Sequence, residues 1–221
     1  SLYKNKWGDL FKMDTLNCND IKALIDIIGG IMRDNKENLC EIDSRVGDGD
    51  LGLTMSAGFT KAAEDIAGFD KDDIGKLLAK TGMVIAQAAP STMGTLMASG
   101  FMAGGKSISG KTEMGAAEYA QFVEAFVESL MKRGKSKPGE KTIIDAMYAA
   151  ANSAKAAGGG TLKECTKAAE VGAKQGLEAT KDMMATHGKA AVFREKTIGI
   201  EDPGATVGWM LMKAFSDFVA Q

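Results

Sequence analysis

The amino-acid sequence predicts an all-α fold in a single domain over residues 1–221. Apolar residues recur at helical spacing along most of the chain, and in residues 20–38 they form one face made of Ile21, Leu24, Ile25, Ile28, Ile31 and Met32. No segment combines apolar–polar alternation with β-branched residues, so no sheet is expected. Proline is scarce and no long linker divides the chain, which favours one domain.

The first half of the chain is predicted to hold four helices. Helix 20–38 starts after a cap at Asn19 or Asp20. Helix 72–88 repeats the apolar stripe, with Ile74, Leu77, Leu78, Val84 and Ile85 on one face. Two further periodic segments complete this half, at 53–66 and 92–103.

The second half is predicted to hold four more helices. Helix 115–133 carries an aromatic-rich stripe, and Gly134 is placed to end it. Helix 204–219 begins with Asp202 as a suitable N-cap and Pro203 in its first turn. The other two helices are predicted at 141–156 and 161–186.

Composition narrows the class of function. The formal net charge is -2, so the chain has no basic excess for nucleic acid. No run is long and apolar enough to span a membrane, and the first residues, SLYKNKWGDLFKM, lack the apolar core of a signal peptide. The cysteines Cys18, Cys40 and Cys165 are odd in number and scattered, as in reduced proteins. We therefore expect a cytoplasmic protein that binds neither nucleic acid nor membrane.

An acidic, glycine-rich segment, DSRVGDGDLG, begins at Asp43. Asp43, Asp48 and Asp50 would repel one another unless a cation sat among them, and carboxylate oxygens suit Mg²⁺, Ca²⁺ or Mn²⁺. An EF-hand is excluded, because with Asp48 in first position the required glycine would be Leu53 and the bidentate glutamate would be Phe59. A solvated turn in which Asp43 or Asp50 caps the next helix explains the local pattern equally well.

A magnesium loop would in turn require a phosphate ligand. Mg²⁺ binds few protein carboxylates and uses its other positions for substrate phosphates. The helix after the loop would offer backbone N–H groups near Leu51, Gly52, Leu53 and Thr54 to such a phosphate. Three bridging carboxylates could hold two metal ions, an arrangement suited to phosphoryl transfer.

Two overlapping matches to the phosphate-binding pattern G-x-x-x-x-G-K-[ST] occur at Gly100–Ser107 and Gly105–Thr112. This pattern binds phosphate only between a strand and a helix of a parallel sheet. The preceding residues, STMGTLMAS, predict a helix instead, and TIID at 142–145 is too short for the acidic strand that such proteins use. A P-loop NTPase stays as an alternative, in which Lys106 or Lys111 would be essential.

Three separated motifs resemble those of one family, the L subunit (DhaL) of dihydroxyacetone kinases and the equivalent domain of the single-chain kinases. They are the D-x₄-D-x-D loop at Asp43, the segment RGKSKPGEKTIIDAM at 133–147, and GKAAVFREKTIGIEDPGAT at 188–206. The last two are similar to the family's GDKTMxDA and GRASYLGERSIGHxDPGA. The resemblance covers nearly the whole chain.

The resemblance implies a barrel of eight antiparallel helices, up and down in turn, with ADP or ATP and its metal site at one end. Asp43, Asp48 and Asp50 would hold two Mg²⁺ ions on the phosphates, and Lys189 would be the fourth catalytic residue, reaching a phosphate. The nucleotide would also contact Leu51, Gly52, Leu53, Thr54, Thr92, Met93, Gly134, Ile143, Asp202, Pro203 and Gly204.

The resemblance further implies half of an enzyme. In this family a separate K subunit holds the ketone substrate covalently through a histidine, and the L subunit passes on the γ-phosphoryl group. The donor would be either exchanging ATP or a phosphohistidine (M-type) protein of the phosphotransferase system that rephosphorylates bound ADP. The single histidine here, His187, is more simply explained as favouring a helix C-terminus. Homodimer formation is left open.

Several positions depart from the family's motifs. Leu51 and Ile200 stand where the family has histidine, Lys189 stands where it has arginine, and PSTMG at 90–94 replaces GGASG. The metal triad is intact, so the departures bear on the acceptor and the partner. The acceptor could be a related ketose such as a tetrulose, and a nucleotide-sensing regulatory protein without catalysis is a second hypothesis.

Overall fold

The computed structural model describes residues 14–221, so the N-terminal segment assessed for a signal peptide lies outside the described residues. Over this range the fold is all-α, as predicted. The helices, named α1 to α9 in chain order, are Cys18–Asp34, Lys36–Ser44, Leu51–Ile66, Ile74–Ala88, Thr92–Ser107, Ala116–Gly134, Ile143–Ala157, Leu162–Ala179 and Pro203–Val219. Among the described residues, no helix combines the length and apolarity needed to cross a membrane.

Eight of these helices form a closed ring, while α2 packs beside α3. From α3 to α9 each helix contacts the next, and the ring closes where α1 contacts both α3 and α9. Close glycine contacts give the directions: Gly75 meets Gly105 and Gly82 meets Ala98, so α4 and α5 run antiparallel. Similarly, Gly176 meets Asp145 near the start of α7 from a position near the end of α8. The up-and-down arrangement of eight helices is confirmed.

An aromatic cluster fills the inside of this ring. Phe101 of α5 lies at its centre, with its ring centroid 5.8 Å from that of Phe59 and 5.3 Å from that of Phe126, both nearly edge-on. Tyr119 and Phe215 continue the cluster toward α9, with centroids 5.2 Å apart. All five side chains are fully buried. Edge-to-face aromatic contacts of this kind stabilise a core beyond the area that they bury.

Two of the three glycines that define the P-loop matches serve helix packing. Gly100 and Gly105 lie in the second half of α5, where a Cβ on Gly100 would come within 2.4 Å of the Phe126 ring and one on Gly105 within 2.5 Å of the Gly75 carbonyl oxygen. The third, Gly110, lies in an exposed turn after α5, where its N–H donates to the Asp73 carboxylate at 3.1 Å. A helix rather than a strand precedes them, and the ammonium of Lys111 pairs with Glu118 at 3.1 Å. The P-loop alternative is therefore wrong for this segment, because a helix leads into the matches and Gly100 and Gly105 are buried between helices, where they cannot cradle a phosphate.

The predicted helix 20–38 is in fact two helices. The cap is Asn17 instead of Asn19 or Asp20, and its side chain accepts the N–H groups of those two residues. At Asn35 the backbone leaves the helix, and the Asn35 side-chain amide donates to the Ile31 carbonyl oxygen at 2.8 Å. Asparagine competes in this way for the backbone groups that continue a helix.

Two predicted helix ends also shift. Gly134 is the last residue of α6, and the left-handed position after it is taken by Lys135, with φ of 50°. The predicted helix 161–186 ends at Ala179, where the Thr180 hydroxyl donates to the Leu177 carbonyl oxygen at 2.6 Å and a short 3₁₀ turn begins. The predicted start of α9 is confirmed, since the Asp202 side chain accepts the N–H of Ala205 at 2.7 Å.

The ring determines where the connections lie. Because neighbouring helices run in opposite directions, successive connections fall alternately at the two ends. The starts of α3, α5, α7 and α9 therefore share one end with the connections 45–50, 89–91, 135–142 and 180–202. At the other end a single antiparallel bridge joins Leu16 to Met114, and the Ile74 N–H donates to the Lys111 carbonyl oxygen.

Gly82→Ala is expected to lower the free energy of unfolding by about 1–3 kcal/mol, because overpacking forces closely packed helices apart. The added Cβ would lie 2.6 Å from the Ala98 carbonyl oxygen. Urea denaturation followed by circular dichroism measures the change. Gly68→Ala is the matched control, since a Cβ at the exposed Gly68 meets nothing within 4 Å. Equal stability of the two variants would contradict the close α4–α5 packing.

Candidate functional site

A cavity of about 470 Å³ opens at the end where α3, α5, α7 and α9 begin. Four separate parts of the chain line it: the acidic loop, the start of α5, the connection from α6 to α7, and the segment before and into α9. The residues predicted from the sequence that line it are Asp43, Asp48, Asp50, Leu51, Thr92, Met93, Gly134, Ile143, Lys189, Asp202, Pro203 and Gly204.

Three predicted residues, all in the first turn of α3, do not line the cavity. Gly52 faces α2, where an added Cβ would come within 1.9 Å of the Lys36 carbonyl oxygen. The side chain of Leu53 is 55% exposed. The N–H of Thr54 donates to the Asp50 carbonyl oxygen at 2.9 Å, as in any helix. Their contact with a phosphate through the backbone stays a prediction.

The acidic loop gathers its three carboxylates into one cluster. Asp43, Asp48 and Asp50 each offer an oxygen atom, and these atoms all lie within 4.8 Å of one another. The loop turns tightly at Gly49, which has φ of 73°, a conformation that glycine adopts without strain. A Cβ at Gly47 would lie 2.4 Å from an Asp43 carboxylate oxygen, so a larger residue there would displace the Asp43 carboxylate from the cluster.

Helix capping accounts for only one of these carboxylates. Asp43 accepts the N–H of Leu51 at 3.3 Å, and is in this sense a cap for α3. Asp50 occupies the N-cap position of α3, but its side chain makes no capping hydrogen bond. The solvated-turn interpretation therefore leaves the clustering of the other two unexplained, whereas a site for a hard cation explains all three.

The charges of the cluster are only partly balanced. Burial raises the pKa of Asp43, and the neighbouring charges of Asp48 and Asp50 add to this effect. The ammonium of Lys189 bonds directly to Asp48, which lowers the pKa of Asp48 and raises that of Lys189. Three carboxylates thus face the ammonium of Lys189, which bonds to one of them. An anionic ligand could approach them only with additional positive charge, such as a divalent cation.

Helix starts surround the rest of the cavity. Each helix start carries partial positive charge and unbonded N–H groups, so four of them at one end favour an anion. The side chains of Ser91, Thr142 and Asp202 cap α5, α7 and α9, respectively. The N-cap residue of α3, Asp50, makes no such bond, and the first N–H of that helix, from Leu51, donates instead to Asp43.

Two ionisable residues of the cavity lining were missed by sequence reasoning. Lys141, which lies within the KT pair of the second motif, is only 1% exposed although it lines the cavity. His187 also lines it, and its Nδ1 lies 3.2 Å from the Glu140 carboxylate. The interpretation of His187 as a helix C-terminal residue is wrong, because α8 has already ended at Ala179.

Asp202 is the most strongly perturbed carboxyl group at the cavity. Burial raises its pKa to about 7, the charge of Asp145 acts in the same direction, and the ammonium of Lys141 opposes both. Its carboxyl group accepts the Ala205 N–H, and its own N–H donates to the Thr180 hydroxyl at 2.9 Å.

Comparison with known proteins gives consistent matches over most of the chain. The DAK2 domain pattern matches residues 45–217. The chain is 29% identical over 187 residues to the ADP-binding subunit DhaL of the PEP-dependent dihydroxyacetone kinase of Escherichia coli, covering 84% of this chain and 89% of that protein. It is 30% identical over 186 residues to the corresponding subunit of dihydroxyacetone kinase 1 of Listeria innocua, again covering 84% and 89%.

Longer proteins match over a part of their length. The L-erythrulose 1-kinase of Mycolicibacterium smegmatis is 30% identical over 205 residues, which are 91% of this chain and 36% of that protein. The solved structure of the dihydroxyacetone kinase of C. freundii in complex with AMP-PNP and Mg²⁺ superimposes with a TM-score of 0.68 at 23% identity, covering 98% of this chain and 36% of that one. This likeness establishes a shared fold.

Asp202 predicts a pH dependence of stability. A carboxyl group with a pKa near 7 when folded and near 3.8 when unfolded keeps its proton preferentially in the folded state. The free energy of unfolding should therefore fall as the pH rises from about 4 to 7, by on the order of 2–4 kcal/mol from this group, and then level off. Asp202→Asn keeps a capping oxygen and should remove this slope in thermal or urea unfolding at several pH values.

The control for this measurement is Asp70→Asn, since Asp70 is exposed outside the site. That variant should keep the wild-type slope. An Asp202→Asn variant whose stability still falls between pH 4 and 7 as in the wild type would show that Asp202 ionises normally.

Proposed function

Because the chain belongs to the DAK2 domain family, we propose that it is the nucleotide-binding, phosphoryl-transferring subunit of a kinase for dihydroxyacetone or a related ketose. The observation that carries the proposal is the clustering of Asp43, Asp48 and Asp50 beside Lys189, at the mouth of a cavity surrounded by helix starts. The names of the relatives as ADP-binding subunits supply the chemical class.

The cavity fits a nucleotide by size and by the distribution of its polar groups. Its volume of about 470 Å³ is within the usual range for a small-molecule site. Met93, Ile143 and the backbone of Gly134 form apolar walls that suit a flat base. The acidic loop, in contrast, supplies the negatively charged part of the cavity lining. We therefore place the base among the apolar walls and the phosphates at the loop, with Asp202, Pro203 and Gly204 closing the cavity.

The acidic loop fits magnesium. Its donors are all carboxylate oxygens, the cluster carries excess negative charge, and the oxygen atoms are near enough to share cations. We propose that Asp43, Asp48 and Asp50 hold two Mg²⁺ ions on the nucleotide phosphates. When bound, these ions supply positive charge to the phosphoryl oxygens, where negative charge develops during transfer.

The protein groups around the loop have separate roles. Lys189 is positioned by its bond to Asp48 to present an ammonium to the transferred phosphoryl group. Lysine keeps the charge of the family's arginine but offers a point charge in place of a planar fork. Thr92 and the first turn of α3 would orient the phosphates through N–H and hydroxyl groups. Together with the three aspartates, Lys189 completes the proposed catalytic set.

The acceptor is proposed to arrive on another protein. The relatives in Escherichia coli and Listeria innocua are named as subunits, and their names include dependence on PEP. We propose a K-type partner that carries the ketose covalently, with either ATP or a phosphohistidine (M-type) protein as the source of the phosphoryl group. The relative that acts on L-erythrulose supports a four-carbon ketose as an acceptor to be tested beside dihydroxyacetone.

A nucleotide-sensing regulatory protein is the second candidate. It is favoured by the departures at Leu51 and Ile200 and in the segment 90–94, which leave the metal loop intact while changing its surroundings. Such a protein would bind Mg²⁺ and nucleotide and dock on a partner without transferring a phosphoryl group.

Asp48→Ala should abolish Mg²⁺-dependent ADP binding, because it removes a metal ligand and the partner of Lys189 at once. Calorimetric titration of ADP with and without Mg²⁺ measures this, and a loss of at least about a hundredfold in affinity is expected, at the upper end of effects at metal sites. Lys106→Ala is the matched control: Lys106 is an exposed residue of the P-loop match and does not line the cavity. Binding that needs Lys106 but not Asp48 would reverse the assignment.

Phosphoryl transfer should require a ketose-binding partner. The wild-type chain with ATP, Mg²⁺ and dihydroxyacetone or erythrulose is expected to give no sugar phosphate until a purified K-type subunit is added. Asp48→Ala should remain inactive in the complete mixture, because the phosphoryl donor would not be held. If a bound partner and saturating nucleotide give no product with either phosphoryl source, the chain is the sensor and not the kinase subunit.

A further inference from the structure

Residues 180–200 form a loop whose two ends meet at the buried side chain of Lys141. The Lys141 ammonium donates to the carbonyl oxygens of Thr180 and Ile200, the second at 2.6 Å. These two acceptors stand at opposite ends of the loop. One side chain from the start of α7 therefore joins both ends to the wall of the cavity.

Backbone hydrogen bonds also join the two ends of the loop, which together form its base. The N–H of Gly199 donates to the Lys181 carbonyl oxygen at 2.7 Å, and the N–H of Asp202 donates to the Thr180 hydroxyl at 2.9 Å. An exposed ion pair between Lys181 and Glu201, at 3.0 Å, lies outside them. Lys141 is buried together with Thr180 and Asp202 of this set, with 1% of its surface exposed.

The body of the loop has few contacts of its own. Its large apolar side chains face solvent: Val192 is 83% exposed, Ile198 51% and Met184 40%. Inside the loop the Thr197 hydroxyl accepts the N–H of Ala185 at 3.0 Å. Because little apolar area is buried, the position of the loop depends mainly on its base, on the contact between Lys189 and Asp48, and on the contacts of Thr186 and His187 with Glu140.

The turn that carries Lys141 is held by hydrogen bonds from Asp145. Lys141 has φ of 59°, an uncommon conformation for a residue with a side chain. The Asp145 carboxylate holds the turn from both sides, accepting the N–H of Gly139 at 2.6 Å and that of Thr142 at 2.7 Å. Asp202, Asp145 and Asp182 provide the negative charge that faces the buried ammonium. These hydrogen bonds thus hold Lys141 in its uncommon backbone conformation, which directs its ammonium group at the loop.

We propose that Lys141 is a positioning residue that ties the base of the 180–200 loop and so holds Lys189 beside Asp48. Lys141 would act on nucleotide binding through Lys189, and would not itself bind the phosphates. The significance for nucleotide binding rests on the proposed function, whereas the restraint on the loop can be measured without any nucleotide.

The test combines a double-mutant cycle with hydrogen exchange. MgADP affinity is measured by calorimetry for wild type, Lys141→Met, Lys189→Ala and the double variant, with Lys106→Met as a surface control. Lys141→Met should weaken binding about tenfold, the usual scale for a residue that orients a ligand group. The double variant should match Lys189→Ala within about twofold, because the two residues act as one unit. Amide exchange should accelerate in residues 181–199 of Lys141→Met and stay unchanged in α4 and α5.

Additive losses in the cycle would overturn the proposal, since they would mean that Lys141 acts independently of Lys189. Unchanged exchange in 181–199 would overturn it as well. If Lys141→Met does not fold, the same measurements on Lys141→Gln decide, because its amide can still donate to one of the two carbonyl oxygens. If wild type fails to bind MgADP, the proposed function is wrong, and the exchange experiment still judges the restraint on the loop.

Discussion

The site depends on the alternation of direction around a closed ring of helices. In such a ring a chain returns to the same end only at every second connection, so the starts of α3, α5, α7 and α9 must lie together. Glycine contacts such as Gly82 against Ala98 bring the helices close enough to close the ring. The packing between helices, far from the cavity, thereby decides which distant segments of the chain meet. It also explains why the cavity is lined by four separate parts of the sequence.

Charge is the second constraint, because groups that attract an anion and groups that repel one lie close together at the cavity. Four helix starts favour an anion, while the carboxylates of Asp43, Asp48 and Asp50 repel one. Neither feature alone defines a ligand. Together they favour an anion that arrives with its own cations, which is the chemical description of a magnesium nucleotide. The bond between Lys189 and Asp48 is consistent with this, because it places an ammonium group between the carboxylates and the helix starts.

The fold could be predicted from the sequence to a large extent, because helical periodicity reports burial directly. The acidic loop could also be found, since its residues are adjacent in the chain. What could not be predicted depends on contacts between distant segments. The glycines at Gly100 and Gly105 match a phosphate-binding pattern, and only their contacts with α6 and α4 identify them as packing residues. Lys141 looks like an ordinary surface lysine until Thr180 and Ile200 are placed around it. The break at Asn35 was missed because the apolar pattern continues across it.

Two of the four departures from the family's motifs fall where the backbone makes the contact. At Leu51 it is the N–H that bonds to Asp43, and at Ile200 it is the carbonyl oxygen that accepts from Lys141. A backbone contact survives a change of side chain as long as the local conformation does. Replacing histidine at these two positions therefore removes a titratable group from the surroundings of the cavity while leaving the framework of the loop in place.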